Sequence, residues 1–409
     1  MEADGAAVLL LRRLNSILDS DPLIDEVGFV HPTQLASLVG SQGGSLAGDV
    51  DCKLYCRDHK LGISTDVVVT LYREAKRAFF EAKKKYEAEE GTDSEEMEDD
   101  LIRFSRAVVL LSSDFGTAWN SRKMIVSKKG LLTMFMNELQ LSELILSYVP
   151  KSDQAWSHRR WAIKMISGKS QTLQEILRKE SELVEKIAER SKMNYRAWNH
   201  RGWLVSFMTR EQVLTELNKS KSWAGLHVAD NSSFHYRRRL LMRYLKNSCH
   251  ENEKLPQGPS KEECHLWKEE LNWNESLLKK YIGREALWLH RRFLSLCWIR
   301  HFSACHSPLP CFSENVTGGP DHFLDQELNL VTSCLVVPDN NFDDFEAQAT
   351  HSATYTLWLA KQLPRTGGVE FAEKLRENNI CSLVHKFCPN ISFLEMIADA
   401  NQSGTQGGN

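Results

Sequence analysis

The chain has 409 residues, of which 42% are hydrophobic and 26% charged, and a formal charge of -3. This is the balance of a soluble globular protein long enough to bury a core, and it disfavours a general nucleic-acid binder, which needs a strong positive field. No run of 18 apolar residues occurs, so no membrane span is expected, and the start "MEADGAAVLLLRRLNSILDSD" fits an amphipathic helix better than a secretory leader. The expected location is cytoplasmic, where the ten cysteines stay reduced.

Residues 1–103 read as an N-terminal helical region, with a helix near 7–19, a Gly/Ser loop at 41–49 and a long helix near 65–88. The acidic run "EAEEGTDSEEMEDD", 87–100, reads as a solvated linker. From residue 104 to 300 a unit recurs. "TAWNSRKM", "QAWSHRRW", "RAWNHRGW", "SSFHYRRR" and "ALWLHRRF" align on Trp119, Trp156, Trp198, Phe234 and Trp288, and Arg122, Arg159, Arg201, Arg237 and Arg291 each follow three residues later. The intervals are 37, 42, 36 and 54 residues; three suit a two-helix repeat, and the fourth suits the same repeat carrying an insertion, 246–263.

Amphipathic stretches such as "LQEILRKESELVEKIAER" separate the Trp segments, so each unit is predicted to be a helical hairpin. A single hairpin cannot bury its apolar face, and five should stack into an all-α, right-handed superhelical solenoid. Residues 301–409 read as a loop followed by helices near 323–336, 342–362 and 368–388 that cap the array, with Pro338-Asp-Asn-Asn-Phe opening a degenerate sixth unit.

On a helix, Trp and the Arg three residues on share one side. The indole is predicted to pack between consecutive hairpins with its N–H bonded, and the guanidinium to reach helix-end carbonyls or neighbouring carboxylates. These ten positions are therefore structural staples, and His158, His200 and His290 are read as hydrogen-bonded helix residues because equivalent positions in stacked repeats do not converge on a metal. Cys52, Cys56 and His59, and His301, Cys305, His306 and Cys311, contain ligand types without paired zinc knuckles; no metal is assigned to this chain. No Gly-rich phosphate loop, HExxH helix or nucleophile elbow is present, so the chain by itself lacks a complete catalytic set.

The registered Trp-x-x-Arg hairpins, with "Pro-Lys" or "Asn-Tyr" just upstream of the Trp, resemble the α-subunit repeat of protein prenyltransferases. The resemblance implies an α-type subunit of a heterodimeric protein geranylgeranyltransferase, inactive alone. It would act with a β subunit that holds zinc and the isoprenoid diphosphate and transfers the lipid to a C-terminal cysteine of an acceptor protein. The β subunit of Rab geranylgeranyltransferase is the first candidate. By the same resemblance Lys151, in Pro150-Lys151-Ser152-Asp153, is the catalytic cation near the diphosphate, and Asn194, Tyr195 and Arg196 are the contacts to diphosphate or acceptor. Asp153 stands where the family has Tyr, and Arg196 where it has His. A carboxylate beside an anionic leaving group opposes it unless Asp153 turns away or pairs with a base. The alternatives are a non-catalytic protein-binding scaffold and, against the charge of -3, an RNA-binding repeat.

Overall fold

A computed structural model describes residues 2–40, 53–88, 95–168, 173–247, 260–302, 320–337 and 343–389. They belong to two compact units, Met1–Arg201 and Gly202–Asn409, whereas the sequence suggested divisions near 103 and 300. The N-terminal elements are not set apart because they pack directly on the first repeats. No helix among the described residues is long and apolar enough to cross a membrane.

The first unit opens with α1 (Glu2–Ser20), β1 (Glu26–Val30), α2 (Pro32–Gly40), β2 (Leu54–Arg57), β3 (Lys60–Ser64) and α3 (Val68–Ala88). The three strands are a correction to the helical reading of this region. They form a sheet of order β1-β3-β2, with β1 parallel to β3 through Val27 and Leu61 and β2 antiparallel to it. The β2–β3 turn uses Asp58 and His59, both left-handed at φ 50 and 61, instead of the Asn-Gly or Asp-Gly pair that marks such hairpins. Val27, Leu54, Leu61 and Ile63 are buried, and β1 lies against α6 (Leu132–Tyr148), where Phe29 meets Tyr148 edge to face.

The acidic stretch is also corrected. Residues 87 and 88 end α3, residues 95–100 start α4 (Glu95–Leu111), and 89–94 lie outside the described residues. Carboxylates favour a helix N-terminus, whose unpaired N–H groups carry partial positive charge. Glu98 is buried and receives Lys128 Nζ at 2.8 Å and Lys129 Nζ at 3.3 Å from α5 (Gly116–Lys129). The hairpins α4–α5, α6–α7 (Asp153–Ser167) and α8 (Leu173–Arg190)–α9 (Tyr195–Leu204) follow, the unit ending within α9.

The second unit begins with the end of α9 and a short 3-10 turn, Val205–Phe207. Hairpins α10 (Arg210–Leu226)–α11 (Asn231–Asn247), α12 (Lys261–Lys280)–α13 (Glu285–Cys297) and α14 (Pro320–Leu335)–α15 (Asp343–Gln362) come next. Capping boxes start α10 at Thr209 and Gln212 and α12 at Ser260 and Glu263, so the predicted insertion's last residues are helical; 248–259 lie outside the described residues. So do Cys52, Cys305, His306, Cys311 and the Pro338–Phe342 segment. The last predicted helix is two, α16 (Arg365–Glu377) and α17 (Ile380–Phe387), broken where Asn379 turns left-handed. Phe371, Leu375, Ile380 and Val384 are buried on this pair, which packs on α14 and α15.

The repeated residues do act as staples, in one recurring joint. In the first unit Arg159 donates Nε and Nη2 to Glu180 on the next hairpin at 2.6 and 2.5 Å, and Nη1 to the Leu139 carbonyl and Ser142 Oγ of its own. Glu180 also meets His200 Nε2 at 2.8 Å, while the Trp156 ring lies 4.8 Å from His200. Arg122, Glu138 and His158 repeat this arrangement, with Trp119 on His158 at 4.4 Å. Arg201 reaches Ser181 and Glu185 in its own hairpin.

The second unit repeats the joint. Arg237 forks onto Glu270, which meets His290, and Phe234 takes the Trp place against His290 at 5.3 Å. Arg291 forks onto Glu327, which takes a hydrogen bond from the Tyr355 hydroxyl, and the Trp288 ring lies 5.5 Å from Tyr355. The sixth unit is therefore real, with Tyr in the His place. All five Trp-place rings and all five arginines are buried. Burial alone would push the Glu138, Glu180 and Glu270 carboxyls up, but the arginine charges and the His and Arg hydrogen bonds outweigh it and hold each at about 2. Burial pushes His158, His200 and His290 down against those same carboxylates. A neutral ring donating from Nε2 fits best, since a second proton on the buried Nδ1 of His158 or His290 would find no acceptor among the described residues.

Candidate functional site

With the motif arginines and histidines consumed inside the joints, any chemistry falls to the turns that precede α7 and α9. Each turn is built by its cap. Ser152 Oγ accepts from the Ala155 N–H and starts α7; Asn194 Oδ1 accepts from the Ala197 N–H at 3.1 Å and starts α9. The two turns are tied together at one atom, the Pro150 carbonyl oxygen. It accepts Trp156 Nε1 at 3.0 Å and Asn194 Nδ2 at 2.8 Å.

This arrangement corrects the expected role of Asn194. The side chain is 1% exposed and both its polar ends are bonded to protein, so it builds the turn and offers nothing to a substrate. Arg196 is corrected in part. It is at the surface, but its guanidinium forks onto Asp153, Nε to Oδ1 at 2.5 Å and Nη2 to Oδ2 at 2.7 Å. The hydrogen bonds and charge of Arg196 hold the Asp153 carboxyl below the usual carboxylate range, and Asp153 raises Arg196 in turn. Asp153 and Arg196 are thus one compensated pair rather than a stray anion and a free cation.

Lys151 and Tyr195 remain as the outward groups. Lys151 is exposed on the α7 turn and forms no hydrogen bond or ion pair with any described residue. Tyr195 is 58% exposed at the first position of α9, next to Met193, which is 60% exposed and left-handed at φ 55. An ammonium and a phenol free on one edge can donate to an oxyanion; neither can act as a nucleophile or base for thiol chemistry without a partner.

Among the described residues no group of three His, Cys, Asp or Glu side chains is arranged to hold a metal. Cys56 and His59 both turn to Asp21, His59 Nδ1 at 2.9 Å and Cys56 Sγ at 3.9 Å, and burial followed by the Asp21 charge pushes the Cys56 thiol up. That opposes thiolate formation. His301 stands exposed at the end of the π-helical turn Trp298–Phe302.

The residues that sequence reasoning left unnamed are the acceptor glutamates. Their signal was present: Glu138-Leu-Gln-Leu-Ser142, Glu216-Leu-Asn-Lys-Ser220, Glu270-Leu-Asn-Trp-Asn274 and Glu327-Leu-Asn-Leu-Val331 share a Glu-Leu start. In the first three the Glu lies 20 residues before its His or Tyr, and Leu217 O and Ser220 Oγ take Arg237 just as Leu139 O and Ser142 Oγ take Arg159.

The family described as "Protein prenyltransferase alpha subunit repeat" matches residues 135–166 and 177–208, the segments that hold the α6–α7 and α8–α9 joints. The chain is 34% identical over 235 residues to "Protein prenyltransferase alpha subunit repeat-containing protein 1-B" of Xenopus laevis, covering 47% of this chain and 54% of that protein. It is 28% identical over 237 residues to "Protein prenyltransferase alpha subunit repeat-containing protein 1" of Homo sapiens, covering 48% and 58%. The chain thus aligns with a little over half the length of these relatives.

Proposed function

We propose that the chain, which matches the protein prenyltransferase α-subunit repeat over residues 135–166 and 177–208, is the α-type subunit of a heterodimeric protein geranylgeranyltransferase. In this reading a β subunit, with that of Rab geranylgeranyltransferase as the first candidate, supplies zinc, the isoprenoid pocket and the acceptor cysteine site. The acceptor thiolate forms a bond to C1 of the isoprenoid, the C1–O bond breaks, and diphosphate leaves with the electron pair. Charge grows on the leaving oxygens, where a preorganised cation lowers the barrier. The observation that carries the reading is Lys151, an exposed ammonium with no counter-ion among the described residues, on the turn edge that also exposes Tyr195.

A second reading, a non-catalytic scaffold, is favoured by the Asp153–Arg196 fork, which cancels the guanidinium at the start of α9. Co-expression with prenyltransferase β subunits, followed by transfer of labelled geranylgeranyl diphosphate to cysteine-tailed proteins, tests the first. A complex whose turnover drops at least about tenfold in Lys151→Ala supports it, the loss of one charge-assisted contact in the transition state. A stable complex with unchanged turnover assigns the chain to the scaffold reading, and no complex with any β subunit sinks the proposal.

A further inference from the structure

The second unit carries a cluster of arginines that no described carboxylate holds in an ion pair. Helix α11 contains no carboxylate between Asn231 and Asn247, yet it holds Arg237, Arg238, Arg239 and Arg243. Arg237 is spent in the joint with Glu270. The other three lie on the opposite side, where Arg238, Met242 and Arg243 are half-buried and Arg239 is exposed, while Leu240, Leu241 and Tyr244 face the core. The adjoining helix α13 places Arg292 and Phe293 at the same distance from its Trp as Arg238 and Arg239 are from Phe234, so the two helices continue one face.

Two of these guanidiniums, Arg238 and Arg292, are partly stripped of water and have no carboxylate in an ion pair among the described residues. Arg238 has one hydrogen bond, Nη2 to Asn231 Oδ1 at 2.9 Å, and Arg292 lies over the Trp358 ring at 5.5 Å, with Glu285 two helix turns earlier as the acidic group that reaches it electrostatically. The Nε–H groups of Arg238, Arg243 and Arg292 have no acceptor among the described residues. Burial pushes Arg238 down to about 10, a cost that a bound anion would reverse.

We propose that this face of α11 and α13, centred on Arg238, Arg239, Arg243 and Arg292, docks a carboxylate-bearing surface of the partner subunit. The inference rests on the α-subunit reading above. Guanidinium forks pair bidentately with carboxylates, and a setting of Arg beside Met242 and Phe293 is the composition of a protein interface core. A nucleic acid would call for a broadly basic chain, and the formal charge is -3.

The test uses the full-length chain and a purified prenyltransferase β subunit, titrated at low and high salt. Wild type should bind, more weakly as salt rises, and Arg238→Gln/Arg239→Gln/Arg243→Gln should bind at least about tenfold more weakly with a flatter salt response. Far-UV circular dichroism checks the fold of the triple variant, and Arg239→Gln, at an exposed position, should still weaken binding about threefold if the triple variant misfolds. A complex that forms with unchanged affinity in both variants overturns the docking inference and leaves the α-subunit reading standing. Unchanged β binding together with loss of an RNA mobility shift overturns it in favour of a nucleic-acid surface. Failure of wild type to bind any β subunit overturns the α-subunit reading and the docking site with it.

Discussion

Two Arg–carboxylate forks of nearly the same geometry lie within residues 153–196 of the first unit. Arg159 meets Glu180 at 2.6 and 2.5 Å, and Arg196 meets Asp153 at 2.5 and 2.7 Å. The first is 3% and 2% exposed, the second 40% and 71%. In the interior the charges have lost their water, so each depends on the other and on the carbonyl, hydroxyl and imidazole that complete the joint. At the surface water and salt replace either partner at little cost. The same pair of groups therefore holds the fold in one place and tunes the charge of a working edge in the other.

The largest expected effect comes from breaking the buried fork. Arg159→Ala should cost about 3–5 kcal/mol in chemical denaturation, because it strands Glu180. Sharpening the contrast, Arg159→Met with Glu180→Leu should recover part of that loss, since it removes both charges but strands the buried His200 Nε2–H, which costs about 1–3 kcal/mol; a double variant as unstable as the single would contradict this account.

Acid should act on the joints next. The folded pKa of His158 and His290 lies below the ordinary 6.5, so the unfolded chain takes up these protons first; their contribution is present above about pH 6.5 and declines as pH falls through it. Glu138 and Glu270, held at about 2 from an ordinary 4.5, add a second loss in the same direction as pH falls below about 4.5. Thermal melts in a pH series should show Tm falling on acidification in both windows. His158→Gln/His290→Gln, which keeps a donor but does not titrate, should flatten the upper one.

Asn194→Ala should cost about 1–2 kcal/mol, the loss of a helix cap and of the bond to the Pro150 carbonyl, without changing the charge of the edge. The smallest effect on stability belongs to the exposed fork: Asp153→Asn should leave Tm unresolved from wild type. In a catalytic heterodimer it should nonetheless change turnover, because it releases Arg196 as a second cation beside Lys151. Equal turnover in wild type and Asp153→Asn would remove the pair from the working edge.

Much of the fold was legible because it is periodic. Five Trp-place residues in register with five arginines announced stacked hairpins, and their role as staples follows from the size of the indole and the reach of the guanidinium. The sheet was hidden for the opposite reason. Strands of four and five residues give little alternation to read, the β1 partner lies 34 positions away at β3, and the Asp58-His59 turn lacks glycine. In the candidate site the motif named Lys151 and Tyr195, which are exposed, while Asn194 looked like a contact and is a cap, because its partner carbonyl lies 44 residues away.

What the sequence alone determined is the repeat, its register and the burial of its aromatic places, since helical period and recurrence are local properties of the chain. Which carboxylate receives each arginine, that Asp153 and Arg196 cancel across 43 residues, and that Asn194 spans 44 residues to the Pro150 carbonyl were decided only by tertiary structure. Those pairings depend on how one hairpin's turn lies against the next. That distance is set by the side chains packed between them.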